Sequence, residues 1–234
     1  MKYIKIILLP ILSTLLITHL QAIELSNSYN SVNATYLNSI GDDEVSGYEF
    51  GISSEILETS FIVGLIYSTS EFDEIDNIDI GSLDFEAKSL GVLLGYAFSI
   101  SPDFDIVPSI GYAKSDLDLF GQEVLELDSY IVGVDFRYKV SKNAILSFGV
   151  DFTDSSVDET KELSASAINR IGGPAVAAEF SDALKSDGGS DWEESFSLGY
   201  EHGLTENLIL DLSISTSEFE SYIYALGLSW SWGS

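Results

Sequence analysis

The chain has no cysteine in its 234 residues, which excludes disulfides, thiol nucleophiles, zinc–thiolate centres and a lipid-modified N-terminal cysteine. Basic residues are scarce, with ten Lys and Arg against 38 Asp and Glu and a formal net charge of −28. No basic patch able to displace phosphate counterions can form, so nucleic acid is excluded as a partner. Histidine occurs only twice and proline four times. After the first 22 residues there is no apolar run approaching the ~20 residues of a spanning helix. What is present argues for a folded chain: 45% hydrophobic and 12% aromatic residues are too many for a disordered acidic tail. The length suits one β-rich domain.

Residues 1–22 read as a secretory signal peptide. Lys2 and Lys5 give the positive start, Ile6 to Ile17 an apolar core broken by Pro10, and Ala22 the small residue before cleavage. The remaining 23–234 are expected to form one domain. If it enters a membrane, it must do so as a closed β-barrel, the other structure that pairs every backbone polar group in lipid.

The rest of the chain alternates with period two, the mark of strands. Tyr48, Phe50 and Ile52 share one parity, and Gly47, Glu49, Gly51 and Ser53 the other. The same alternation recurs around Val63 and Leu65, Leu90 to Phe98, Tyr130 to Tyr138, Phe196 to Tyr200, Leu208 to Ile214, and Tyr222 to Trp232. With weaker segments near 28–38, 104–114 and 144–152, ten strands are expected, or eight if the first strand or the 192–216 hairpin is miscounted. An even count is what single-chain outer-membrane barrels show.

Parity also predicts which face points inward. Gly51, Gly64, Gly91, Gly95, Gly111, Gly133, Gly149, Gly199 and Gly227 share a face with Glu49, Asp135, Arg137, Lys139, Glu201 and Asp211. Glycines mixed with charges make a poor apolar core and a reasonable lumen, so these six charged residues are the expected polar network of the interior. The bulky face then meets lipid. From Tyr222 to Trp232 is roughly 33 Å along a strand, which a tilt of about 40–45° reduces to about 24 Å of height, close to the apolar band of such barrels. Tyr130, Tyr138, Tyr222, Trp230 and Trp232 fall where rings would mark the membrane interfaces. A soluble secreted barrel or β-sandwich with a binding role is the rival architecture.

Turns alternate short and long. The long segments 39–45, 70–86, 115–128, 153–194 and 217–221 hold most of the 38 acids and only three bases, Lys161, Arg170 and Lys185. By the short-periplasmic, long-exterior rule they form an acidic extracellular rim, which would concentrate cations. Asp73, Glu74, Asp76 and Asp79 are a candidate cation-binding cluster of the oxygen-rich kind Ca²⁺ prefers, although the spacing is not an EF-hand. Residues 153–191 form the longest loop, with Leu163, Ala167, Ile168 and Ile171 at helical spacing and Ala175 to Leu184 as a second short helical candidate.

Through the strand–turn–strand unit Gly133 to Val150 and the final strand Tyr222 to Trp232, the chain resembles the small bacterial outer-membrane β-barrel superfamily that includes the OmpA- and OmpX-like proteins. The resemblance implies a Gram-negative outer-membrane location, a transmembrane antiparallel up-and-down barrel in contact with outer-membrane lipid, and a C-terminal strand read by the barrel-assembly machinery. Barrel enzymes of that membrane use a histidine base near the outer leaflet. Here the one histidine after the leader, His202, is expected beside the turn at Thr205, at the opposite end, and there is neither a phosphate loop nor a nucleophile elbow. The expected role is a non-enzymatic structural or adhesive surface protein, meeting extracellular surfaces or divalent cations through its acidic rim. A narrow cation-selective porin is the alternative.

Overall fold

In a computed structural model, the residues described are 29–40, 45–56, 59–72, 85–171, 173–178, 192–217 and 221–232. The strands are β1 (Ser31–Ile40), β2 (Val45–Glu55), β3 (Phe61–Phe72), β4 (Phe85–Tyr96), β5 (Phe98–Ser101), β6 (Phe104–Leu119), β7 (Gln122–Ser141), β8 (Ala144–Thr160), β9 (Trp192–Gly203), β10 (Leu208–Ser217) and β11 (Ser221–Ser231). One short helix, α1 (Ala165–Arg170), follows β8. No helix among the described residues is long and apolar enough to cross a membrane.

Except for β4 and β5, each strand pairs antiparallel with its neighbour in sequence, and the sheet closes where β1 meets β11 over Ser31↔Ser231 to Ile40↔Tyr222. β4 and β5 both pair with β6 and are two stretches of one barrel strand, interrupted at Ala97, whose N–H donates to Ser60 O at 2.8 Å. The architecture is therefore a closed antiparallel barrel of ten strands, as the alternation predicts. Closure removes the open edges of the sheet through the belt, while β5 and the end of β8 beyond Asp154 each pair on one side only among the described residues.

The parity rule holds through the middle of the wall. Phe50, Leu90, Val92, Val132, Leu226 and Leu228 are about half exposed on the outside, while their glycine and polar neighbours line the interior. Tyr130, Tyr138, Tyr222, Trp230 and Trp232 all lie on this outer face.

One expected loop and the two ends of another are instead strand. Residues 115–128 continue β6 and β7 to a two-residue turn at Phe120 and Gly121, whose φ values of 56° and 75° are both left-handed. That is the type I′ geometry whose twist matches paired strands. β8 likewise runs to Thr160, so the segment after it begins eight residues later than the loop expected at 153, and β9 starts at Trp192. These stretches read as loops because they are acidic. In the structure the faces are exchanged: beyond the Tyr112–Tyr130 ring pair (centroids 5.5 Å apart), charge points outward and apolar side chains point inward.

The inward apolar face is covered by the chain that follows β8. Phe85, Leu117, Leu119, Val124 and Leu125 form a buried cluster with Ile171 and Ala177, and Leu163 and Ile168 pack against it. Leu119 and Val124 are wholly inaccessible. Ser164 caps α1 by accepting from Ala167 N (3.3 Å), and Gly173, at φ 104°, ends it by donating to Ile168 O (2.8 Å). Ala167 and Ile171 of the expected helical stripe are buried. Residues 174–178 are helical, overlapping the second candidate helix over 175–178. The leader, Asp73, Glu74, Asp76 and Asp79, and 179–191 lie outside the described residues.

Candidate functional site

Among the described residues, the interior gathers charge away from bulk water. Arg137 on β7 reaches past β8, and its Nη2 donates to both carboxylate oxygens of Glu201 on β9, each at 2.9 Å. The pair sits near the end with the short turns, where the guanidinium also lies 4.8 Å from the ring centroid of Tyr29. Tyr29 Oη donates to Asp105 Oδ2 at 2.7 Å. Asp105 is almost fully buried, with Oδ1 lacking a hydrogen-bond donor. Lys139 shares this face two residues further along β7.

Higher in the lumen the acids lie sideways along the wall. β7 carries Gly133-Val134-Asp135 and β8 carries Gly149-Val150-Asp151, and the register sets each aspartate opposite the other strand's glycine. Asp151 covers Gly133, and Asp135 together with Ser197 covers Gly149, so a methyl group on either glycine would collide with a carboxylate oxygen. Ser147 lies over Gly199 and Thr35 over Gly227 in the same way. Asp211 accepts a hydrogen bond from Ser229, and Glu49 is hydrogen-bonded by Asn33. Because these polar groups fold into glycine-floored recesses, space remains between them. A cavity of about 580 Å³ is lined by Glu49, Asp151, Glu201 and Asp211 among hydroxyls. A second, of about 290 Å³, lies toward β3, β4 and β6, lined in part by Leu93, Ser109 and Asp135.

Of the expected network, the structure brings Arg137 and Glu201 into contact, sets Asp211 opposite Glu201 in the ladder, and spreads Glu49, Asp135 and Lys139 around the same lumen. Parity reasoning missed Tyr29, Asp105 and Asp151. The usable signal for Tyr29 was an aromatic on the inward parity otherwise occupied by Ser31, Asn33 and Thr35. His202 lies on β9 next to the short turn, as expected, with its Nδ1 3.1 Å from Tyr200 Oη.

At the opposite end, charges cover the outside of the extended hairpin. Lys88 pairs with Asp118 (2.8 Å) and Glu86 (3.1 Å), and Lys114 with Glu126 (2.6 Å) and Asp158 (3.7 Å). Lys114 holds the Glu126 carboxyl below its ordinary value, and the hydrogen bond to Glu126 with the nearby Asp128 charge raises Asp158. Asp116, Glu123 and Glu126 bring carboxylate oxygens within 4.8 Å of one another, and Lys114 and Lys161 already pair with two of the three.

No family model and no curated protein sequence matches the chain. Solved structures do match. The β domain of the Bordetella autotransporter BrkA is 9% identical with a TM-score of 0.50, covering 88% of this chain and all of that one. The NanC porin matches at 8% identity and TM-score 0.45, over 86% of this chain and 100% of that one. Neisserial surface protein A matches at 12% and 0.39, over 88% and 98%. At such identities the likeness concerns the fold: a closed antiparallel barrel of the outer-membrane type.

Proposed function

We propose that the chain is a non-enzymatic outer-membrane surface barrel of structural or adhesive type, working through the acidic hairpins that stand above its apolar belt. The observation that carries this reading is the belt itself. Fully covering one large apolar side chain contributes about 1.5–3 kcal/mol, so a girdle of them left in water would forfeit tens of kcal/mol. Soluble monomers rarely expose apolar patches beyond a few hundred Å². Hydrocarbon is the environment that matches a continuous outer ring of Phe50, Leu65, Val92, Val132 and Leu226 around a closed barrel. The leader supports export, and the terminal strand β11, which closes the barrel on β1, is the segment for the assembly machinery to read. The hairpin end becomes the exterior, where Gln122 to Leu125 and α1 make a folded platform edged with carboxylates. These would attract divalent cations, including Ca²⁺ at the Asp73–Asp79 cluster.

The test is extraction and migration. The protein should leave membranes only with detergent, and should run at different positions on an SDS gel before and after boiling. Release by salt or alkali alone would overturn the reading in favour of a soluble binding barrel.

A second reading, narrow cation passage, is favoured by the carboxylates that line the larger cavity. Planar-bilayer recording tests it: cation-selective steps support it, and silence or anion preference removes it.

A further inference from the structure

We propose that Tyr29 is a plug that closes the short-turn end of the lumen from inside. The residue precedes β1 and continues its inward parity, yet it is a large aromatic where Ser31, Asn33 and Thr35 follow. Its hydroxyl is anchored on Asp105, Arg137 lies over its ring, and the ring packs on the buried cluster of Ile62, Ala97 and Val107. Tyr29, Arg137, Ser147 and Glu201 line both cavities, so this group is the partition between them.

The backbone is fixed as firmly as the side chain. Ser53 Oγ donates to Tyr29 O (2.6 Å), and Asn30 Oδ1 accepts from Ser54 Oγ and Glu55 N (both 2.8 Å). Trp232 N donates to Asn30 O (3.2 Å). β2 and the end of the last strand thus hold the chain where it enters, and the ring is aimed across the opening. Nothing in strand pairing requires an aromatic there. The placement makes sense as closure of a water-accessible chamber, and the inference rests on that view of the lumen.

The absence of native cysteine makes the test clean. Ser109 lines the smaller cavity, four residues along β6 from Asp105 and beyond the ring. Ser109→Cys is reconstituted in vesicles whose orientation is established by proteolysis of the hairpins, with folding checked by heat-dependent gel migration. A small cationic methanethiosulfonate is then added at the short-turn side. Adding Tyr29→Ala should raise the labelling rate about tenfold or more, while Tyr29→Phe, which keeps the ring, should stay within about threefold of the parent. Tyr29→Leu serves as the second opening variant if the alanine form does not fold. Equal labelling with and without the ring overturns the plug. Faster labelling without any bilayer conductance upholds the plug and removes the passage reading, and conductance with unchanged labelling does the reverse.

Discussion

Asp151 lies flat over Gly133, and two rows away Asp135 lies over Gly149, so that two neighbouring strands exchange the same glycine–carboxylate contact. The arrangement explains why glycine and charge share one face of the sequence. A carboxylate that turns along the wall needs a neighbour without a Cβ, and the space it vacates at the axis becomes cavity. Gly133→Ala should therefore push Asp151 into the lumen, at a cost of about 1–3 kcal/mol typical of overpacking. Gly64 provides the control, since its nearest neighbour, Leu93 Cβ, is 3.6 Å from where a methyl would stand. Reversible urea unfolding in detergent or lipid vesicles should separate the two alanine variants, and equal stability would refute the recess argument.

Arg137 and Glu201 are each less than a quarter exposed, so breaking one partner leaves the other poorly hydrated. Arg137→Met or Glu201→Gln alone should cost about 3 kcal/mol, whereas the double variant should cost less than the sum. The arginine loss should be the larger, because it also uncovers the face of Tyr29. The same unfolding measurement checks both, and additive losses would mean that the two side chains act independently.

How much of this was legible beforehand follows from what period two encodes. The outward row from Tyr222 to Trp232 and the inward row through Asp135 and Arg137 could be placed because one face must be apolar and the other must not. Alternation gives parity, strand count and closure, and those expectations agree with the structure. It cannot tell that polarity reverses along a strand once the wall leaves the belt. Asp116, Asp118, Glu126 and Asp128 therefore read as loop, although they alternate with Leu117, Leu119, Leu125 and Leu127 as regularly as the belt does, with the sign reversed. The Arg137–Glu201 contact was only partly legible. Both residues were assigned to the lumen, but their meeting requires an arginine long enough to pass over β8, a matter of side-chain reach and not of pattern.

Gln122 ties the platform together with both ends of its amide. Nε2 donates to Glu162 O at 2.8 Å, and Oε1 accepts from Ser164 N at 3.0 Å. Beside it, Arg170 stacks 3.6 Å from the Phe120 ring centroid, which helps offset the left-handed backbone of a non-glycine residue. Gln122→Ala removes two hydrogen bonds of about 1 kcal/mol each and should loosen α1 without touching the belt. Limited proteolysis should then cut within 161–178 faster, while the heat-dependent gel shift of the barrel stays the same. Unchanged cleavage would mean that the apolar cluster alone holds the segment.

The ion pairs on the hairpin's outer face make opposite contributions to pH dependence. Glu126 is lowered by Lys114 and by its hydrogen bond with Asp158, so its contribution is present above the ordinary glutamate pKa and fades as pH falls through its depressed value. Asp158 is raised by hydrogen bonding to Glu126 and by Asp128, so its contribution is full while it is protonated and is lost as pH rises through the elevated value. Carboxyl carbon NMR titration should accordingly find Glu126 ionising below, and Asp158 above, the normal range. Lys114→Met should move Glu126 back upward, since the nearest cation is gone, and Glu126→Ala should bring Asp158 down toward an ordinary aspartate because the carboxylate that accepts its hydrogen bond is removed. If both carboxyls titrate at ordinary values in the parent protein, the pairing of Lys114, Glu126 and Asp158 does not persist in solution.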